Sequence, residues 1–208
     1  MMAVSLEGMP STSTEPSVQA KEMESPVVDP ADTQHRRNWE KYWAAGGVEH
    51  DQGKPSIALR ELLEDHRWLL PRGRCLLAGC GPIAGAQKML ETAGEQPTRL
   101  TFAVQDFFTL RPPVRFTFAY EYGFFASIPP AQRQQWAETY ARLIVPQGTL
   151  IVLLYPLVGR GGSLLQEVTM AECEEFLKRY FVLVRVDPNC QCPEGQEGHE
   201  LMTVWKRL

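Results

Sequence analysis

Arg74-Cys75-Leu76-Leu77-Ala78-Gly79-Cys80-Gly81 is the stretch on which the architecture turns. Residues 75–78 carry no charge, and a short apolar run bounded by glycines reads as a strand buried on both faces. The glycines that follow let the backbone turn sharply and approach a ligand closely. Strand, Gly-x-Gly and then a helical pattern open a nucleotide-binding α/β unit. An ordinary tight β–α turn shows the same pattern, so this stretch speaks for the fold before it speaks for a function.

Working outward, residues 84–93 are helix-like, with Gly94 as a C-terminal stop. Strands are expected over 100–105, ended by Asp106, and over 115–120, followed by Glu121-Tyr122. Pro129-Pro130 opens a helix over 131–144 that puts Trp136, Tyr140 and Leu143 on one apolar face. Pro146-Gln147-Gly148 turns into the most apolar strand, 149–155. Thr169 caps a helix to Lys178, with Glu172 completing a capping box. Strands over 181–186 and 201–205, joined by a short Pro- and Gly-containing loop, form an antiparallel hairpin. Alternating strands and helices followed by a hairpin give a mostly parallel, Rossmann-like α/β sheet with helices on both faces.

Upstream of the glycine turn, Pro71-Arg72-Gly73 leads into the strand, and Ser56 is an N-cap for a helix from Ile57. Trp39 and Trp43 stand four residues apart and share one face of a helix. That face either packs on the core or forms an aromatic lid over a ligand. Residues 1–34 are rich in Ser, Thr, Pro and Glu and lack periodicity, so a disordered tail is expected there, ahead of one domain over 35–208.

Composition narrows the partners. A net charge of −4 supplies no basic field for nucleic acid. No apolar run reaches the length of a membrane span. The first residues lack the layout of a secretory signal, and six acids against one base in the first 34 residues argue against a mitochondrial transit peptide. Five cysteines without export signals read as free thiols in a reducing compartment, so a cytoplasmic protein is expected. The oligomeric state is not legible, with a monomer favoured.

Several motifs together carry a resemblance. Asp106-Phe107-Phe108, Arg115-Phe116 and Glu121-Tyr122-Gly123-Phe124-Phe125-Ala126-Ser127-Ile128-Pro129-Pro130 resemble the thiol, thiopurine and halide S-methyltransferase family, a class I group that uses S-adenosylmethionine. Arg133, Trp136-Ala137, Leu143-Ile144, Pro146-Gln147-Gly148, Leu154-Tyr155-Pro156 and Trp205-Lys206-Arg207 fit the same pattern downstream. Trp39-Glu40-Lys41-Tyr42-Trp43 and Asp51-Gln52-Gly53-Lys54-Pro55 fit it upstream, so the similarity runs in order over 35–208. The resemblance implies that Trp39 and Trp43 lie against the cofactor and that Gly79 lets its methionine part pass close to the backbone. It implies that Asp106 and Phe107 sit beside the adenine and that Tyr122 lies near the reacting methyl. Aromatic faces attract a desolvated sulfonium, which is the physical sense of the Trp pair.

Two departures stand out. A third Trp common in the family is His50 here. More importantly, 81–106 leaves room for one helix and one strand only, so the second strand/helix unit, with the acid that binds the ribose hydroxyls, is expected to be missing. A rival register makes 100–105 the second strand and Asp106 its acid; the match of 106–116 to the family's third-strand exit speaks against it. Glu91 and Glu95 are substitutes for the lost acid only if they are not ordinary helix charges.

Other chemistry-bearing residues read plainly. Cys190-x-Cys192 lacks the spacing and second ligand pair of a zinc site and reads as two free thiols beside His199. Cys80 reads as a buried thiol. Arg160-Gly161-Gly162-Ser163 is either a substrate-side loop or a plain flexible one, and His35 and His66 read as surface residues. The expected reaction is methyl transfer to a small soft nucleophile, a thiol, thiolate or halide, by in-line displacement with no assigned catalytic residue. The alternative is an impaired or inactive relative that acts at most as a binding module.

Overall fold

The structure is a computed structural model that describes residues 2–3, 30–47, 56–69, 71–79, 101–157, 159, 161–162 and 164–208. Six strands form one sheet: β1 (Met2–Ala3), β2 (Cys75–Ala78), β3 (Phe116–Tyr122), β4 (Ile144–Leu154), β5 (Phe181–Asp187) and β6 (Leu201–Arg207). Their spatial order is β1-β2-β3-β4-β6-β5. Strands β2, β3 and β4 run parallel, while β6 pairs antiparallel with β4 and with β5. The mostly parallel sheet and the terminal hairpin are therefore as the sequence implied.

β4 is the centre of the molecule because its side chains are apolar on both faces. Leu150, Val152 and Leu154 point to one face, Ile151 and Leu153 to the other, and all are buried. On the first face they meet Leu76, Ala119 and Trp205, together with Trp136, Tyr140 and Leu143 of α3 (Arg133–Leu143) and Cys173 and Leu177 of α4 (Met170–Leu177). On the second they meet Tyr120, Met202 and Val204, with Ala58 and Leu62 of α2 (Ile57–Asp65). Each such side chain contributes about 1.5–3 kcal/mol by leaving water. α1 (Pro30–Ala44) starts ahead of His35 and carries both Trp39 and Trp43.

Local signals explain the helix ends. Ser56 accepts from the Leu59 N–H at 3.2 Å and caps α2. Thr169 accepts from the Glu172 N–H at 3.1 Å and caps α4. The expected capping box takes a different form, because the Glu172 carboxylate pairs with Arg133 Nη1 and ties α4 to α3.

Three expectations need correction. Residues 101–105 form no strand: none of them pairs with a neighbour, and Val104 is exposed. An extended run becomes a strand only when a ladder partner is present. Pro146-Gln147-Gly148 is not a separate turn; it lies within β4, where a register shift between Phe116 and Phe118 and a left-handed Gln147 (φ 61°) absorb it. The helix after Pro129 begins as a 3₁₀ turn, Pro130–Gln132, before α3 proper. The expected helix over 84–93, with Cys80, Gly81, Glu91 and Glu95, lies outside the described residues, as does His50. Among the described residues, the far side of β2 carries only the two-residue β1 and no second strand/helix unit.

Candidate functional site

Parallel strands deliver their following residues to one end of the sheet, and there the candidate residues gather. β2 ends at Ala78, and Gly79 turns with φ +66°. A Cβ at Gly79 would stand 3.0 Å from the Phe124 ring, so both its dihedral and its surroundings demand glycine. β3 ends at Tyr122; Gly123 (φ +69°) then turns the chain into the 3₁₀ segment Phe125–Ser127.

Glu121 fixes that turn. Its side chain is 1% exposed, and Oε1 accepts from the Phe125 N–H at 2.5 Å, while Oε2 has no partner. Burial pushes its carboxyl up to about 8, against the opposing pull of the Phe125 and Phe124 N–H groups. The staple holds Phe124 over Gly79 and leaves Tyr122 on the opposite face of β3. There the Tyr122 hydroxyl donates to Glu200 Oε1 at 2.5 Å, and its ring lies 6.0 Å from that of Tyr155 at the end of β4. Burial and the facing Glu200 carboxylate both push the Tyr122 phenol up. Burial also raises Glu200, and the bond from Tyr122 opposes that rise.

α1 reaches the same end through His35. Its Nε2 lies 2.5 Å from the carbonyl oxygen of Ser127 and donates to it in the tautomer protonated at that nitrogen; in the other tautomer it accepts from Trp39 instead. The Trp39 indole N–H approaches the same nitrogen at 3.2 Å. Trp39 and Trp43 stack with centroids 5.6 Å apart and planes at 24°. His35 is therefore the anchor of the aromatic helix and not a plain surface residue.

Asp106 and Phe107 belong to one turn with different fates. Asp106 is exposed, and its Oδ1 accepts from the Phe108 N–H at 2.9 Å. Phe107 is buried against Phe124 at 5.1 Å and Tyr140 at 4.8 Å. Arg142 holds this turn by donating to the carbonyls of Phe108 and Leu110.

Of the sequence-derived candidates, Gly79 and Phe107 thus meet the Phe124 ring, Tyr122 continues the same strand end, and Trp39 and Trp43 reach it through His35 and Ser127. The Asp106 carboxylate is spent on its own turn in this conformation. Glu121, Glu200 and His35 are the members that sequence reading left without a role. Cys190 and Cys192 are free thiols, as are Cys75 and Cys173. The loop around Gly161 is held by Glu167, which accepts from the Gly159 and Gly161 N–H groups.

The chain is similar to known proteins over most of its length. The family model for thiopurine S-methyltransferase (TPMT) matches residues 84–189. Probable thiol methyltransferase 2 of Arabidopsis thaliana is 31% identical over 192 residues, spanning 81% of this chain and 84% of its own. Thiocyanate methyltransferase 1 of Brassica oleracea is 29% identical over 200 residues, spanning 85% and 88%. Among solved structures, 1,6-didemethyltoxoflavin-N1-methyltransferase of Burkholderia thailandensis, with 1,6-didemethyltoxoflavin and S-adenosylhomocysteine bound, superposes with a TM-score of 0.61 at 18% identity, over 93% of this chain and 99% of that one. N-methyltransferase NodS of Bradyrhizobium japonicum, bound to S-adenosylhomocysteine, gives 0.55 at 11% identity, over 86% and 99%. At such identities the two structures establish the shared fold alone.

Proposed function

The chain belongs to the thiopurine S-methyltransferase family, and from that membership we propose that it moves a methyl group from S-adenosylmethionine to a small thiol. The cofactor of this family is S-adenosylmethionine, and a methyltransferase of thiol or thiopurine type is what the family model and the Arabidopsis relative support. The narrower choice of a thiol, rather than a halide, is our reading.

The residues present fit such a cofactor at two places. Gly79 turns the chain with a left-handed dihedral directly after β2, leaving backbone without a side chain there, and Trp39 and Trp43 offer stacked aromatic faces suited to a cation. In this reading Gly79 passes the methionine part, Asp106 and Phe107 flank the adenine, and Tyr122 meets the acceptor. When bound, S-adenosylmethionine supplies an electrophilic methyl on a positively charged sulfur. The protein's own work is to position and to dry. Tyr122 and Tyr155 wall the acceptor side and orient the incoming sulfur; such alignment supplies up to about 7–11 kcal/mol in well-oriented systems. α1, pinned at Ser127, keeps water from the reacting end. No described residue is assigned to the ribose.

The glycine turn at Gly79 and the end of β3 at Tyr122, brought to one end of the sheet by the parallel pairing of β2 with β3, are the observation that carries the reading. The free thiols support a reducing, cytoplasmic setting, and no helix among the described residues is long and apolar enough to cross a membrane. Incubation with S-adenosylmethionine and hydrogen sulfide, alkyl thiols, thiocyanate or iodide is expected to release S-adenosylhomocysteine; no release with any acceptor overturns the reading. The short stretch between the glycine turn and Asp106, with room for one helix and one strand only, favours a second reading, an impaired relative. Calorimetry with S-adenosylhomocysteine separates the two: micromolar binding supports the enzyme, and no binding supports the relative.

A further inference from the structure

Glu200, the acid facing Tyr122, is a buried side chain at this end of the sheet that the reading above leaves without work, whereas Glu121 is committed to the backbone turn after β3. Glu200 is 4% exposed, and among the described residues no Lys or Arg pairs with it. Its Oε1 accepts the Tyr122 hydroxyl at 2.5 Å, and the Gln196 amide oxygen lies 3.5 Å from the same hydroxyl. The other titratable groups around this pair are Tyr120 of β3, Tyr155 after β4, Asp187 of β5, and Cys190, Cys192, Glu197 and His199 of the loop before β6. Only His199 among them can become a cation, and its Nδ1 is buried without a partner. A buried carboxylate without a counter-cation is costly, which marks it as kept for a purpose or for a charge that arrives from outside.

We propose that Glu200, through the Tyr122 hydroxyl, receives the proton of an acceptor that binds as a neutral thiol. This rests on the methyltransferase reading and narrows it, since a carboxylate in this place repels halide and thiocyanate and accommodates an undissociated S–H. As the thiol S–H bond breaks, its electron pair stays on sulfur and forms the new S–CH₃ bond. The old bond between methyl and cofactor sulfur breaks, and its pair remains on that sulfur. Tyr122 takes the thiol proton while handing its own to Glu200 Oε1. The positive charge of the bound cofactor and the negative charge of Glu200 are both discharged, so no net charge is left in a dry site. Burial raises the Glu200 carboxyl and so makes it a better proton acceptor than an exposed carboxylate.

Glu200→Gln keeps the shape and removes the proton acceptor, and Tyr122→Phe keeps the ring and removes the relay. For both, the ratio of kcat/KM for a neutral alkyl thiol over that for thiocyanate, which has no proton to lose, is expected to fall about 100-fold. The deficit shrinks as pH rises through the thiol's own ionisation, because the thiolate then needs no base. Glu200→Asp restores part of the ratio. Glu200→Gln still binds S-adenosylhomocysteine, read by calorimetry. Infrared difference spectra of the cofactor-free protein show a protonated carboxyl that vanishes in Glu200→Gln and titrates above the ordinary carboxylate range. Equal losses with thiol and thiocyanate, or an infrared midpoint at the ordinary value, overturn the proposal and leave the methyltransferase reading standing. A wild-type protein without product from any acceptor overturns both.

Discussion

β4 and β2 are both apolar strands of one parallel sheet, yet they live in different surroundings. β4 has a full ladder on either side, to β3 and to β6, and is buried on both faces. Among the described residues, β2 has a three-pair ladder to β3 on one side and two residues of β1 on the other, and Leu77 in its middle is 43% exposed. Among the described residues the best-embedded scaffold is therefore the C-terminal part, while the glycine turn of the candidate site follows the strand with fewer described partners. An edge with unpaired N–H and C=O groups is also a template for wrong pairing.

The difference is broken most directly by truncating one leucine in each strand. Leu150→Ala is expected to cost about 2–5 kcal/mol, because it opens a cavity between two packed layers. Leu77→Ala is expected to cost about 0.5 kcal/mol or less, since the side chain is half in water already. Denaturant unfolding measures both; equal costs would show that β2 is as well embedded as β4.

A second test uses pH at the end of β3, between the two strands. Glu121 rises from 4.5 to about 8 on folding, so between those values the folded chain holds a proton that the unfolded chain has released. Stability therefore falls as pH climbs from 4.5 to 8, by on the order of a few kcal/mol. Glu121→Gln keeps an oxygen for the Phe125 N–H and should flatten that slope. An unchanged slope in denaturant midpoints taken across the window would show that the carboxyl titrates as it does in water.

A third test sits at the end of β2 itself. Gly79→Ala forces a side chain into a left-handed dihedral and against Phe124, at about 1–2 kcal/mol for the dihedral alone. Because β2 has little to lose elsewhere, most of this should appear as weaker S-adenosylhomocysteine binding and not as lower thermal stability. A variant that binds normally would remove Gly79 from the site.

Local pattern was enough for what repeats along the chain. The runs at 75–78, 149–154 and 201–205 are apolar whatever surrounds them, and their strands were legible. The run at 100–105 was not, because β-propensity in Thr101, Phe102 and Val104 says nothing about whether a neighbour exists to pair with them. Turn residues at 146–148 misled for the related reason that a ladder with a register shift can absorb them. At the site, the family resemblance named Trp39, Trp43, Gly79, Asp106, Phe107 and Tyr122. It left His35 and Glu200 without roles because their partners, Ser127 and Tyr122, are 92 and 78 residues away in sequence. Glu121 escaped differently: its partner is four residues on, but an acid in a strand announces burial only once the sheet is built.

The stacked indoles of Trp39 and Trp43 have one practical consequence. Two chromophores so close and nearly parallel couple their electronic transitions, which gives a paired circular-dichroism band that depends on their mutual angle. Any guest that slides against either ring, or any loosening of the His35 tether, alters that band. The stacked pair is thus an optical gauge of the geometry of α1, readable without a label and without turnover.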